Sequence, residues 1–413
     1  MREMRCRTCF LSGAVLFVLL SFPILSCVGA SSQMWSQTYG GAEDDTVYAL
    51  VKTSGGGYAL AGSTKSFFVG NEFFWLVKTD KYGTVQWNQS YGKSISDTAY
   101  ALVETSDGGF ALAGGTWSFG SSSYDFWLVK TDAYGNMEWS QTYGGTDYQI
   151  AYSLVQAGDG GYAILGYMWP SVSGTADFWL IKTDKFGNVE WNQTYNKANY
   201  DFGYSLVETS DGGFALAGGV WPSVGVADFW LAKTDRFGNM EWNQTYKEER
   251  DDGARALVVT SDGGFALTGG GCLVKTDASG NMEWNQTYGR GSTVSLVQMP
   301  DGGYALAGYI DSYDTEGNDF WLVKTDADGD MKWNQTYGGA SDDRAYALVE
   351  SSDGGYVLAG STESFGAGKA DLGLIKTDEY GDIPEFPSWT ILPLLFVAGL
   401  IVITCKRWLP KKE

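Results

Sequence analysis

Between Asp97 and Tyr143 the chain falls into four short runs in which apolar and polar positions alternate with the period of an extended strand: "AYALVET", "GFALAGGT", "DFWLVKTD" and "MEWSQTY". Tight-turn sequences separate them, Ser106-Asp107-Gly108 after the first and Ala133-Tyr134-Gly135-Asn136 after the third. The pattern predicts four antiparallel strands, a to d, joined in sequence.

The same set recurs along the chain. W-x-Q-[T/S]-Y begins at Trp35, Trp87, Trp139, Trp191, Trp242, Trp284 and Trp333, and Lys-Thr-Asp begins at Lys78, Lys130, Lys182, Lys233, Lys275, Lys324 and Lys376. A Gly-Gly pair between strands a and b also occurs seven times, and the usual spacing is 52 residues. A period of this size marks solenoids and propellers, and four strands in each of seven repeats specify an all-β, seven-bladed β-propeller.

The ends of the repeat array predict a closed ring. "WSQTY" at 35–39 is a strand d with no a, b or c before it, and the last repeat stops after "LGLIKTDEYGD" with no d of its own. The N-terminal strand therefore completes the last blade. Within W-N-Q-T-Y the Trp, Gln and Tyr share one face of strand d, so seven outermost strands each offer a Trp to pack between blades. Five more tryptophans (Trp75, Trp127, Trp179, Trp230, Trp321) hold one position of strand c, Trp389 and Trp408 lie near the C-terminus, and Trp117, Trp169 and Trp221 have no place in the repeat's core.

The consensus "SDGGFALAGGT…DFWLVKTDxxGNxxWNQTYGG" resembles β-propeller-like repeats of archaeal and bacterial cell-surface proteins over nearly all of residues 34–382. That resemblance implies the fold and no particular ligand.

Both termini read as targeting devices. Residues 1–30 have a basic start, an apolar run from Phe10 to Leu25 and small residues up to Ala30, the form of a secretory signal peptide. Residues 31–382 make the propeller, and 383–413 combine a Pro-rich linker, an apolar run from Trp389 to Cys405 and the basic cluster Lys406, Arg407, Lys411 and Lys412. The expectation is a membrane segment with its basic end in the cytoplasm and the propeller outside. Pro384-Glu385-Phe386 also resembles the sorting motif of archaeal surface proteins, which implies transfer to a lipid anchor.

Charge narrows the partners. Setting aside the seven basic residues near the termini with Glu3 and Glu413, 21 basic residues face 47 acidic ones, and such a surface repels phosphate backbones, so no nucleic-acid partner is expected. There is no histidine, which removes Ser-His-Asp and Cys-His chemistry and His-bound zinc. Cys272 is the only cysteine between the two ends, so no disulfide forms there. No cofactor or metal is expected: "DADGD" at 326–330 has the alternating oxygens of a calcium loop, but equivalent turns such as Asp132–Asn136 mark it as a hairpin turn.

In a propeller the a–b and c–d turns share one face and the b–c and d–a connections the other. The first set is short and uniform here, the second long and varied, and varied loops on a rigid scaffold carry binding. On that face the candidate ligand-binding residues are Trp117, Trp169 and Trp221 with the acids ahead of strand a, Asp45, Asp97, Asp201, Asp252 and Asp343. Exposed Trp beside acids suits a surface glycan or a protein partner. Asn88, Asn192, Asn243, Asn285 and Asn334 begin glycosylation sequons on strand d. The expected function is a binding or adhesion module without catalysis; the alternatives are a carbohydrate-active enzyme using loop carboxylates and a purely structural envelope component.

Overall fold

Twenty-eight strands, β1–β28 in chain order, form seven four-stranded antiparallel sheets in the computed structural model. It describes residues 34–383 apart from 68–69, 94, 120–122, 171–173, 223–225, 248–252 and 312–316. The candidate signal peptide, the Pro-Glu-Phe motif and the apolar C-terminal run lie outside the described residues, among which no helix is long and apolar enough to cross a membrane.

Blade 1 shows the plan: β2 (Asp45–Lys52), β3 (Tyr58–Thr64), β4 (Phe73–Thr79) and β5 (Val85–Tyr91) pair in chain order. The two middle strands are buried along their whole length, while β5 is exposed or half-buried at every position except its last, Tyr91, as suits an outer edge. Ring closure follows the sequence expectation. β1 (Trp35–Tyr39) pairs with β28 (Asp371–Lys376) in register Trp35↔Lys376 to Tyr39↔Leu372, and completes the sheet of β26 (Asp343–Glu350) and β27 (Tyr356–Thr362).

W-N-Q-T-Y proves to be a clasp between blades. Each of its seven tryptophans meets the first ring of the next blade's strand b edge-on, from Trp35 on Tyr58 to Trp333 on Tyr356, with centroids 5.7–6.1 Å apart. Each tyrosine hydroxyl donates to the glycine carbonyl of the next blade's c–d turn at 2.5–2.8 Å, as Tyr91 does to Gly135. That glycine is required twice over: Gly135 has φ +79°, and a Cβ there would lie 2.6 Å from the Trp87 ring. The Asn lies on the other face of strand d, where the side-chain oxygens of Asn88, Asn192, Asn243 and Asn334 accept from the strand-c indoles of Trp75, Trp179, Trp230 and Trp321 at 3.1–3.3 Å.

Blade 5 is the short one: β18 (Ala256–Val259), β19 (Phe265–Gly269), β20 (Cys272–Thr276) and β21 (Met282–Thr287). Its missing b–c loop is replaced by a hairpin turn at Gly270 and Gly271, both with positive φ, and Cys272 is buried in the core with Phe229 and Tyr246.

Candidate binding face

Strand a approaches the ring axis, and a β-bulge there turns one side chain inward. The register slips between Val47 and Ala49, Ala99 and Ala101, Ala151 and Ser153, Gly203 and Ser205, and Ala345 and Ala347. The residue skipped each time is a tyrosine: Tyr48, Tyr100, Tyr152, Tyr204 or Tyr346. Their rings meet around the axis with centroids 4.8–5.4 Å apart, in the order Tyr346, Tyr48, Tyr100, Tyr152, Tyr204. Blades 5 and 6 place Arg255 and Val294 there, and the Arg255 guanidinium lies 4.1 Å from the Tyr204 ring centroid. Burial, followed by the neighbouring phenols, raises the pKa values of Tyr48, Tyr100 and Tyr152, the last to about 12.

The loop face above this ring is divided into two sectors. Over blades 2–4 one aromatic network contains all three loop tryptophans. Trp117 meets Tyr124 edge-on at 5.2 Å, Tyr124 meets Tyr148 at 5.4 Å, and Tyr148 stacks on Tyr167 at 6.2 Å. Tyr167 meets Phe202 at 4.7 Å, and Phe202 in turn meets Trp169 at 6.2 Å and Trp221 at 5.2 Å. Tyr152 and Tyr204 join the network to the axial ring. Trp117 and Trp169 are 40% and 38% exposed, so they offer indole surface that is already held in place from below. Trp221 is less open, because its ring folds back over Gly219, where a Cβ would collide with it.

Between blades 7 and 1 the same face is polar. A cavity of about 300 Å³ is floored by Tyr48 and Tyr346 and walled by Asp44, Glu72, Asp342 and Arg344. Arg344 pairs with Asp342 at 3.1 Å and Lys65 with Asp44 at 3.4 Å, which leaves the lining carboxylates Glu72 and Glu363 outside these ion pairs and the cavity acidic.

The acids ahead of strand a occupy a different level from the tryptophans. Asp45, Asp97, Asp201 and Asp343 are at most 1% exposed. Asp45 accepts from Gly41 N, Thr64 Oγ1 and Ser66 Oγ, and Asp97 accepts from Thr116 Oγ1 and from both Ser118 N and Oγ. Asp201 accepts from Lys197 N and Ala198 N, and Asp343 from Gly339 N and Ser364 N. These carboxylates bind the protein's own d–a and b–c loops and are not part of its exposed surface. Burial raises the pKa of the Asp201 carboxyl. Asp252 lies outside the described residues.

The opposite face repeats one arrangement. A buried strand-c lysine, such as Lys130, Lys182, Lys233 or Lys275, is bracketed by the Asp of the a–b turn and a Glu of strand d at 2.7–3.0 Å. The c–d turns close on their first Asp, and the Asp326 carboxylate is used in this way by the amides of Asp328 and Asp330. Among the described residues no group of three or more His, Cys, Asp or Glu is placed to hold a metal ion. Exposed rings occur on these turns too, at Tyr134, Phe186 and Phe237, but singly; among the described ring contacts none joins them to another ring.

Neither a protein-family model nor a curated protein sequence matches this chain. Solved structures match its fold. It superposes on U3-55K with a TM-score of 0.56 at 11% identity, covering 83% of this chain and 98% of that one. The WD40 repeats of RRP9 give 0.54 at 12% identity, with 82% and 99% covered, and Sqt1 from Chaetomium thermophilum gives 0.51 at 12%, with 84% and 97%. The chain is thus a seven-bladed β-propeller of the architecture seen in WD40 repeats, and at such identity the likeness is one of fold alone.

Proposed function

We propose that the protein is a binding module held at the outer face of the cell membrane, whose contact surface is the aromatic sector of the loop face over blades 2–4. One observation carries this reading: Trp117, Trp169 and Trp221, the three tryptophans that the repeat does not use, belong to a single ring network at the surface. Rigid aromatic rings supply contact area at low conformational cost, which suits a protein partner or a glycan chain. The WD40-like fold supports an interaction role, and the signal-peptide and membrane-run patterns of the two ends support the surface location. Strand d lies at the rim, away from this face, and Asn88, Asn192, Asn285 and Asn334 are exposed there, so glycans on these sequons would leave the contact surface open.

The test is a glycan array and a cell-envelope pull-down with fragment 31–382, wild type against Trp117→Ala/Trp169→Ala/Trp221→Ala, folding being checked by circular dichroism. Loss of binding by at least about 100-fold, or about 2.7 kcal/mol, is expected for three truncated anchors. Equal binding by the two folded proteins would overturn the assignment.

A further inference from the structure

The strand-c tryptophan is missing from two blades, and the two positions have different fates. In blade 5 the position is Cys272, and the shortened hairpin has closed around it. In blade 7 the position is Gly373, and the space has stayed open as a groove of about 490 Å³ along the seam between blades 6 and 7. An equivalent, filled position shows what the groove is shaped for. Trp127 lies against Phe74 of the preceding blade at 4.5 Å and against Phe119 of its own b–c loop at 5.0 Å. At the seam the corresponding rings are Phe320 and Phe365, both of which line the groove, with Gly373 at its floor. Phe365 is 56% exposed, close to the 54% of Phe67, its equivalent beside Trp75 in blade 1, so the bracket ring is equally open whether or not an indole lies against it. The groove is therefore a preformed aromatic slot of the size that small ligands and anchor side chains occupy.

Ile383 lines the same groove, and the chain continues from it as Pro384-Glu385-Phe386-Pro387-Ser388-Trp389. We infer that the slot is the docking site of this segment of the chain itself, with Phe386 as the ring that takes the unfilled tryptophan position. The reach fits. The last turn closes through Asp378 N to Asp382 O, which sets Ile383 at the end of β28. Three extended residues cover about 10 Å, the length of three strand residues from Thr377 back to Leu374, beside Gly373. Pro384 and Pro387 lack an N–H and disfavour a helix across the tether, and a tether this short holds the ring at an effective concentration of order millimolar. Docking would fix where the C-terminal run leaves the propeller, beside β1, the strand that closes the ring.

The experiment is a double-mutant cycle on the full chain in detergent solution, read by thermal unfolding of wild type, Phe386→Ala, Gly373→Trp and the double variant. A Cβ on Gly373 would meet Phe320 and Thr362 no closer than 3.4 Å, so a side chain can be built there. Phe386→Ala is expected to lower Tm by about 2 °C in the wild-type background and to have no effect in the Gly373→Trp background, where the new indole fills the slot. An equal shift in both backgrounds, no shift in either, or coupling that appears only with Trp389→Ala would overturn the assignment. Should Gly373→Trp fail to fold, Phe365→Ala serves as the second background; there the effect of Phe386→Ala must shrink, and an undiminished effect would contradict the proposal.

Discussion

The two faces of this propeller are made by the same repeat and show opposite habits. On the turn face, blade after blade repeats a buried lysine, two acids and a glycine turn, and each such lysine pairs with acids of its own blade. On the loop face the blades differ from one another, and rings from three of them merge into one network. A residue required in every blade holds the ring together; a residue found in only a few is free to serve a partner. Asp97 and Trp117 are brought together by the pairing of strands a and b in blade 2, where Trp117 N donates to Ser96 O, and fall on opposite sides of that distinction, one buried, the other 40% exposed.

The strongest challenge to this division is to remove a residue from the holding class. Trp127→Ala, at a position 1% exposed between Phe74 and Phe119, is expected to cost about 3–5 kcal/mol in chemical denaturation. Asp97→Ala comes next, at about 2–3 kcal/mol, because it strands the amide of Ser118 and the hydroxyls of Thr116 and Ser118. Partner affinity per folded molecule should not change in that variant. A stable Asp97→Ala protein that had lost its partner would move Asp97 to the binding class and break the comparison.

Tyr91→Phe tests one clasp alone. It leaves the Gly135 carbonyl without its donor, and a loss of about 1 kcal/mol by denaturant titration is expected. The smallest effect is a pH dependence. Tyr48, Tyr100, Tyr152 and Tyr346 have folded pKa values raised above the ordinary value near 10, with Tyr152 at about 12, first by burial and then by Tyr204. Their contribution to stability is complete below about pH 10 and is lost as pH rises through 12. Tyr152→Phe should flatten the alkaline limb of a stability-versus-pH curve followed by circular dichroism.

The blade count, the four strands and the closing strand were legible in the sequence, because a tandem repeat presents the same strand and turn signals seven times. The interblade role of Trp35 and its six equivalents was legible too, from strand alternation. The axial ring was not. Tyr48, Tyr100 and their equivalents sit in an alternating strand, and only the bulge, a property of pairing, turns them inward. The acids ahead of strand a read as exposed because they precede a strand in a varied loop. Their burial comes from neighbouring blades closing over them, as when Asp45 N donates to Ala370 O and Asp97 N to Glu72 O. The slot beside Gly373 was equally hidden, since a lost tryptophan has opposite consequences in blades 5 and 7, depending on whether the adjoining loop was also lost.

The central claim is that binding belongs to the loop face and not to exposed rings in general. The decisive measurement compares two matched triple variants in one envelope pull-down: Trp117→Ala/Trp169→Ala/Trp221→Ala, and Tyr134→Ala/Phe186→Ala/Phe237→Ala from the turn face of the same three blades, where the rings are more exposed. The account predicts that the first variant loses the partner and the second retains it. Retention by the first with loss by the second would contradict it.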